Sequence, residues 1–124
     1  MKKKLTIALL LMCFFGLSAC KNATGTSTID IRVTQSQQAL AGVTVYMYDT
    51  QTYNILGIDD PLFADKQAVT DNEGTATFSI DELAFGLDDR ATFYFATYDN
   101  NKKVSGQVGV TVGKGETKTA DIKL

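Results

Sequence analysis

The feature that most limits the fold of this chain is a period-two alternation that returns in one short run after another. Ile29, Ile31 and Val33 alternate with Asp30, Arg32 and Thr34. Val43, Val45 and Met47 alternate with Thr44, Tyr46 and Tyr48, and Ala76, Phe78 and Ile80 with Thr75, Thr77 and Ser79. Val108, Val110 and Val112, then Ala120, Ile122 and Leu124, repeat the pattern near the C-terminus. Successive side chains of a strand point to opposite faces, so each run describes a strand with one buried and one wet face. The run Ala91 to Tyr98 is apolar on both sides, as expected of a central strand covered on both faces. No segment has the length and period of a long amphipathic helix. About seven short strands in roughly 100 residues predict an all-β fold, an antiparallel Greek-key β-sandwich. A closed barrel is the competing arrangement.

Turn chemistry separates the runs. Asp71-Asn72-Glu73-Gly74 suits a tight turn whose glycine takes positive φ. Asp99 to Lys103 reads as a polar hairpin, and Gly113-Lys114-Gly115-Glu116 as a second one before the last strand. Asp81-Glu82-Leu83-Ala84-Phe85 reads as a single helical turn with acids at its start, where the helix dipole favours them. Gln51 to Gln67 is the least regular stretch. There we expect a short strand over Tyr53 to Ile58, a break at Asp59-Asp60-Pro61, and Leu62 and Phe63 tucked onto the core.

Ahead of the strands the chain opens with Lys2, Lys3 and Lys4, an apolar run from Leu5 to Leu17, then Ser18, Ala19 and Cys20. A basic start, a short apolar core and small residues are the parts of a secretory signal, and the run is too short to span a bilayer as a helix. Leu17-Ser18-Ala19-Cys20 resembles the lipobox of bacterial lipoproteins. That resemblance implies a diacylglyceryl group on the Cys20 thiol, cleavage before Cys20 and acylation of the new amino group with palmitate-type chains. Several chains on one cysteine make a stable anchor where a single chain holds only reversibly. The expected organisation is a signal peptide (a signal helix) over residues 1–19, a tether over 20–27 and a sandwich domain over 28–124. Lys21 follows the cysteine where better-known lipoprotein systems place an acidic inner-membrane retention signal. The expected address is therefore the outer membrane, in a cell that has two.

Within the domain, Leu40-Ala41-Gly42-Val43-Thr44-Val45 and Val69-Thr70-Asp71-Asn72-Glu73-Gly74-Thr75-Ala76-Thr77-Phe78 resemble the carboxypeptidase regulatory-like, or transthyretin-like, sandwich domains. Thr117 to Leu124 suits their last strand. The resemblance covers Thr28 to Leu124 and speaks to fold, not to activity. Some related adhesin modules carry a self-formed Lys–Asn amide bond. Here the first strand offers Arg32 instead of lysine and the last offers no asparagine, so no such crosslink is expected.

Composition closes most catalytic routes. The chain contains no histidine, which removes Ser-His-Asp and Cys-His catalysis and the commonest zinc ligand. Of two cysteines, Cys13 lies in the signal and Cys20 takes the lipid, so the domain has no free thiol. Ser27, Ser36, Ser79 and Ser105 show no lysine at the spacing of a Ser-Lys motif. We expect no enzyme, no catalytic residue and no cofactor. From Cys20 onward nine basic residues face fourteen acids, a net charge of −5 that disfavours nucleic acid. Asp59, Asp60, Asp65, Asp71 and Glu73 are the best candidates for calcium, yet their spacing matches no calcium loop and they read as solvated turn acids. Tyr46 and Tyr48 are grouped with Tyr94 and Tyr98 as a platform for sugar rings or a protein partner, provided their faces are exposed. The expected function is a non-enzymatic envelope module held to the membrane through Cys20, with a protein or glycan partner. The alternatives are a carbohydrate-binding accessory lipoprotein and a small fimbrial or adhesin-like subunit that pairs through a sheet edge.

Overall fold

The structure is a computed structural model and describes residues 26–124. Eight strands form two sheets. In the first, β1 (Ser27–Gln35) is central. It pairs antiparallel with β5 (Thr75–Ile80), from Ser27 opposite Ile80 to Arg32 opposite Thr75. Its far end folds back on β2 (Gln38–Ala39). Along its other side runs β8 (Thr117–Lys123). The second sheet has the order β4 (Lys66–Val69), β3 (Thr44–Asp49), β6 (Arg90–Tyr98), β7 (Val104–Gly113). The chain is therefore an all-β sandwich with two separate sheets.

The pairing is antiparallel except between β1 and β8, which run parallel from Thr28 opposite Thr117 to Thr34 opposite Lys123. Parallel neighbours need a long connection, and here nearly the whole domain lies between them. Gly113 to Glu116 is consequently not a hairpin. It carries the chain from the edge of the second sheet into the first, with Gly115 at φ +71°. Ser27, expected in the tether, belongs to the domain. It is buried, its hydroxyl donates to the Gly113 carbonyl at 2.9 Å, and it accepts the Gly115 N–H at 2.9 Å.

The alternating positions form the core as expected. Ile29, Ile31, Val33, Val45, Met47, Phe78, Phe95, Val112 and Ile122 are buried between the sheets. Thr70 joins them because its hydroxyl is doubly used: it accepts the Val43 N–H at 2.9 Å and donates to the Leu40 carbonyl at 2.6 Å. Asp71 shapes the next turn by accepting the N–H groups of Glu73 and Thr75 at 2.9 and 3.1 Å. Gly74 closes it at φ +77°, where an added Cβ would stand 2.8 Å from that of Ala39.

Two expectations for the irregular stretch fail. Residues Thr50–Leu56 form a helix, α1, and not a strand. Asp49 caps it by accepting the Thr52 N–H at 2.7 Å, and Gly57 ends it at φ +70°. A one-turn 3₁₀ helix follows at Pro61–Phe63, capped by Asp60. Leu62 and Phe63 do not enter the core: they are 79% and 48% exposed. The helical turn expected near Asp81 is a 3₁₀ helix, Glu82–Phe85.

Candidate interaction surface

The outer face of the second sheet gathers all five tyrosines of the chain. Tyr46 and Tyr48 come from β3 and Tyr94 and Tyr98 from β6, since alternate residues of paired strands share a face. Tyr53 comes from α1, which lies over them. Its ring stacks on Tyr94 with centroids 3.7 Å apart and planes 11° apart, while Tyr46 meets Tyr98 edge-on at 5.3 Å. Tyr48 is fully buried. A sugar platform needed open rings, and here the rings cover one another.

The Tyr48 and Tyr98 hydroxyls hold the covering loop. Tyr48 donates to the Asp60 carbonyl at 2.9 Å, Tyr98 donates to the Ile58 carbonyl at 2.5 Å, and the two oxygens lie 2.5 Å apart. Three contacts thus compete for two protons. Burial pushes both hydroxyls above the ordinary tyrosine value. Their contact raises Tyr98 further, and the nearby acids raise both. Both stay neutral at ordinary pH, and the pair clamps the loop.

Of the five acids singled out for calcium, Asp60, Asp65 and Asp71 build local structure through their side chains. Asp60 accepts the Leu62 N–H at 2.9 Å, and Asp65 accepts the Asp49 N–H at 2.8 Å and the Thr52 hydroxyl at 3.2 Å. Among the described residues no three His, Cys, Asp or Glu side chains group as a metal site. Cys20 lies outside the described residues. Of the serines, Ser105 exchanges a hydrogen bond with the Thr97 hydroxyl at 2.9 Å. The lysine that reaches Ser79, Lys66, donates to its backbone carbonyl at 2.7 Å and not to its hydroxyl.

The sheet edges differ in how they are guarded. β4 is four residues long and begins with Lys66. The same Lys66 ammonium reaches the carbonyl of Ser79 in β5. β8 carries Lys118, Asp121 and Lys123. The ten residues of β7, Val-Ser-Gly-Gln-Val-Gly-Val-Thr-Val-Gly, contain neither charge nor proline. β7 pairs with β6 on one side, and among the described residues no strand pairs with it on the other. Charge, proline, shortness and bulges keep edge strands from pairing with other chains, and of these β7 has only a bulge at its start, where Thr97 faces Gly106 and Tyr98 faces Val104. Beside it, Tyr53, Ile58, Tyr94, Gln107 and Gly109 line an open cavity of about 280 Å³. This unpaired, uncharged edge lies one strand over from the tyrosines that the sequence singled out. Its signal was present in the uncharged run Val104 to Gly113.

No family model matches the chain, and no curated protein matches it in sequence. Solved structures match it in shape. The SpaB basal pilin from Lactobacillus rhamnosus GG is 17% identical at a TM-score of 0.53, over 83% of this chain and 98% of that one. The Bacillus anthracis TIE protein is 12% identical at a TM-score of 0.50, over 80% of this chain and only 16% of that protein. GBS52, the minor pilin in Streptococcus agalactiae, is 17% identical at a TM-score of 0.49, over 82% and 45%. At these identities the likeness is one of fold: the chain shares the β-sandwich of pilin domains.

Proposed function

We propose that this chain is an exported lipoprotein, anchored through Cys20, whose sandwich serves as a structural assembly module of the cell envelope and not as an enzyme. The observation that carries the assembly reading is the uncharged edge of β7, with which no described strand pairs on its outer side. An extended segment added there gains main-chain hydrogen bonds along the strand. The pilin likeness supports the fimbrial or adhesin-like form of this role, because SpaB is matched over nearly its whole length. Lack of histidine and of a free thiol supports a non-enzymatic role. Lys21, in place of an acidic residue after the lipobox cysteine, supports an outer-membrane address, and the transthyretin-like motifs remain a proposed kinship. Stacking of Tyr53 on Tyr94 counts against the sugar-binding alternative.

The test adds charge to the edge without touching the core. Gln107 and Thr111 are exposed on β7, and Gln107→Lys with Thr111→Lys is expected to abolish concentration-dependent oligomers in sedimentation while leaving the melting temperature within a few degrees. Oligomers unchanged in the double variant would remove β7 from the account. Palmitate labelling that persists in Cys20→Ser would remove the anchor.

A further inference from the structure

The strand directions put one loop at the end of the sandwich where the tether enters. β1 starts at Ser27, whose partner is Ile80, the last residue of β5. The loop that follows, residues 81–89, returns to β6 at Arg90, which pairs with Gly113 at the same end. This loop carries Leu83 and Leu87, which are 87% and fully exposed. Single apolar residues at a surface are ordinary, but these two stand four residues apart on one loop and are the most exposed large apolar side chains among the described residues.

The loop is built to hold them out. Between them Phe85 is buried and meets Phe93 edge-on at 6.5 Å. Asp81 accepts the Leu83 N–H at 2.9 Å, Gly86 N–H donates to the Leu83 carbonyl at 3.3 Å, and Asp88 N–H donates to the Phe85 carbonyl at 3.0 Å. The Asp89 carbonyl accepts the Lys114 N–H at 3.0 Å. One aromatic side chain pins the loop inward, and the two leucines flank it on the outside.

What lies opposite this end follows from chain length. Seven steps separate Cys20 from Ser27, a reach of at most about 25 Å. A lipid on Cys20 therefore keeps the Ser27 end of the domain beside the bilayer. We propose that Leu83 and Leu87 enter the interface of the leaflet that holds this lipid, a second contact that stands the domain on its Ser27 end. Asp81, Glu82, Asp88 and Asp89 flank the leucines, so the contact favours a zwitterionic surface over an anionic one. With that end down, the β7 edge stands upright, open to a neighbour anchored in the same membrane. The inference rests on the lipid-anchor reading, and the experiment separates the two.

The chain contains no tryptophan, so a single introduced one reports alone. Leu83→Trp, Leu87→Trp and, on the side of the domain, Leu62→Trp are placed separately in the full lipidated chain. Each is reconstituted into phosphatidylcholine vesicles with or without brominated acyl chains, and mass spectrometry reads the lipid on Cys20. Blue-shifted emission quenched by bromine at positions 83 and 87 but not 62 is the expected result. Leu83→Asn added to the Leu87→Trp reporter should lower the quenching, which shows that the pair acts and not the tryptophan alone. Unquenched reporters on a lipidated chain overturn the inference and leave the anchor standing. Quenching at position 62 equal to that at 83 and 87 overturns the upright orientation. Absence of lipid on Cys20 overturns the anchor and the inference with it.

Discussion

Both faces of the β4–β3–β6–β7 sheet are covered, but by different means. The inner face packs on a second sheet whose strands come from distant parts of the chain, and the contact is mainly apolar. The outer face is covered by its own connection, residues 50–65, held by ring stacking and by two tyrosine hydroxyls. The first arrangement makes the fold. The second is a thin lid over tyrosines, and it leaves Ile55, Leu56, Leu62 and Phe63 exposed on its surface. Under the proposed assembly role, the outer side, lid and β7 edge together, is the side turned to partners.

Substitutions sharpen the contrast. On the inner face, Phe95→Ala opens a cavity between the sheets, because Phe95 is fully buried and packs against Phe78 with centroids 5.0 Å apart. A loss of about 3–5 kcal/mol in denaturant unfolding is expected, with the whole domain melting together. On the outer face, Tyr98→Phe removes one hydroxyl of the clamp and leaves the Ile58 carbonyl without its donor. A loss of about 1–3 kcal/mol is expected, with faster proteolysis of residues 50–65 and little change in β1. If Tyr98→Phe cost as much as Phe95→Ala and melted both faces alike, the lid would be part of the main core.

The same clamp gives a smaller, pH-dependent effect. Tyr48 and Tyr98 titrate above the ordinary value of 10.0 when folded. Their contribution is therefore complete below that pH, where both states keep the proton, and is lost as pH rises above it, where the unfolded chain ionises first. Thermal melts of the parent should fall through this alkaline range more steeply than those of Tyr48→Phe with Tyr98→Phe. Equal slopes would mean that the hydroxyls do not hold the lid.

The inner face was legible in the sequence because alternation is a local signal: Ile29-Asp30-Ile31 states its own burial. The covered β6 was legible for the same reason, from Phe93 and Phe95 on one side and Tyr94 and Tyr98 on the other. α1 was missed because threonine, tyrosine and isoleucine favour strands, although Asp49 and Gly57 stand where a cap and a terminator belong. Leu62 and Phe63 misled because apolarity alone does not say which side of a loop faces the core. The parallel β1–β8 pair left no local trace, since nothing in Thr117 to Lys123 encodes the direction of a strand ninety residues earlier. The tyrosine face was found but its lid was not, because the lid depends on how residues 50–65 fold.

The claim that β7 is the assembly edge is tested most directly by amide hydrogen exchange in the detergent-solubilised full chain at low and high protein concentration. The account predicts that the β7 amides not bonded to β6 slow with concentration, while those of β4 and β8 do not, and that Gln107→Lys with Thr111→Lys removes the difference. β7 amides that exchange at one rate in dilute monomer and in concentrated oligomer would contradict it.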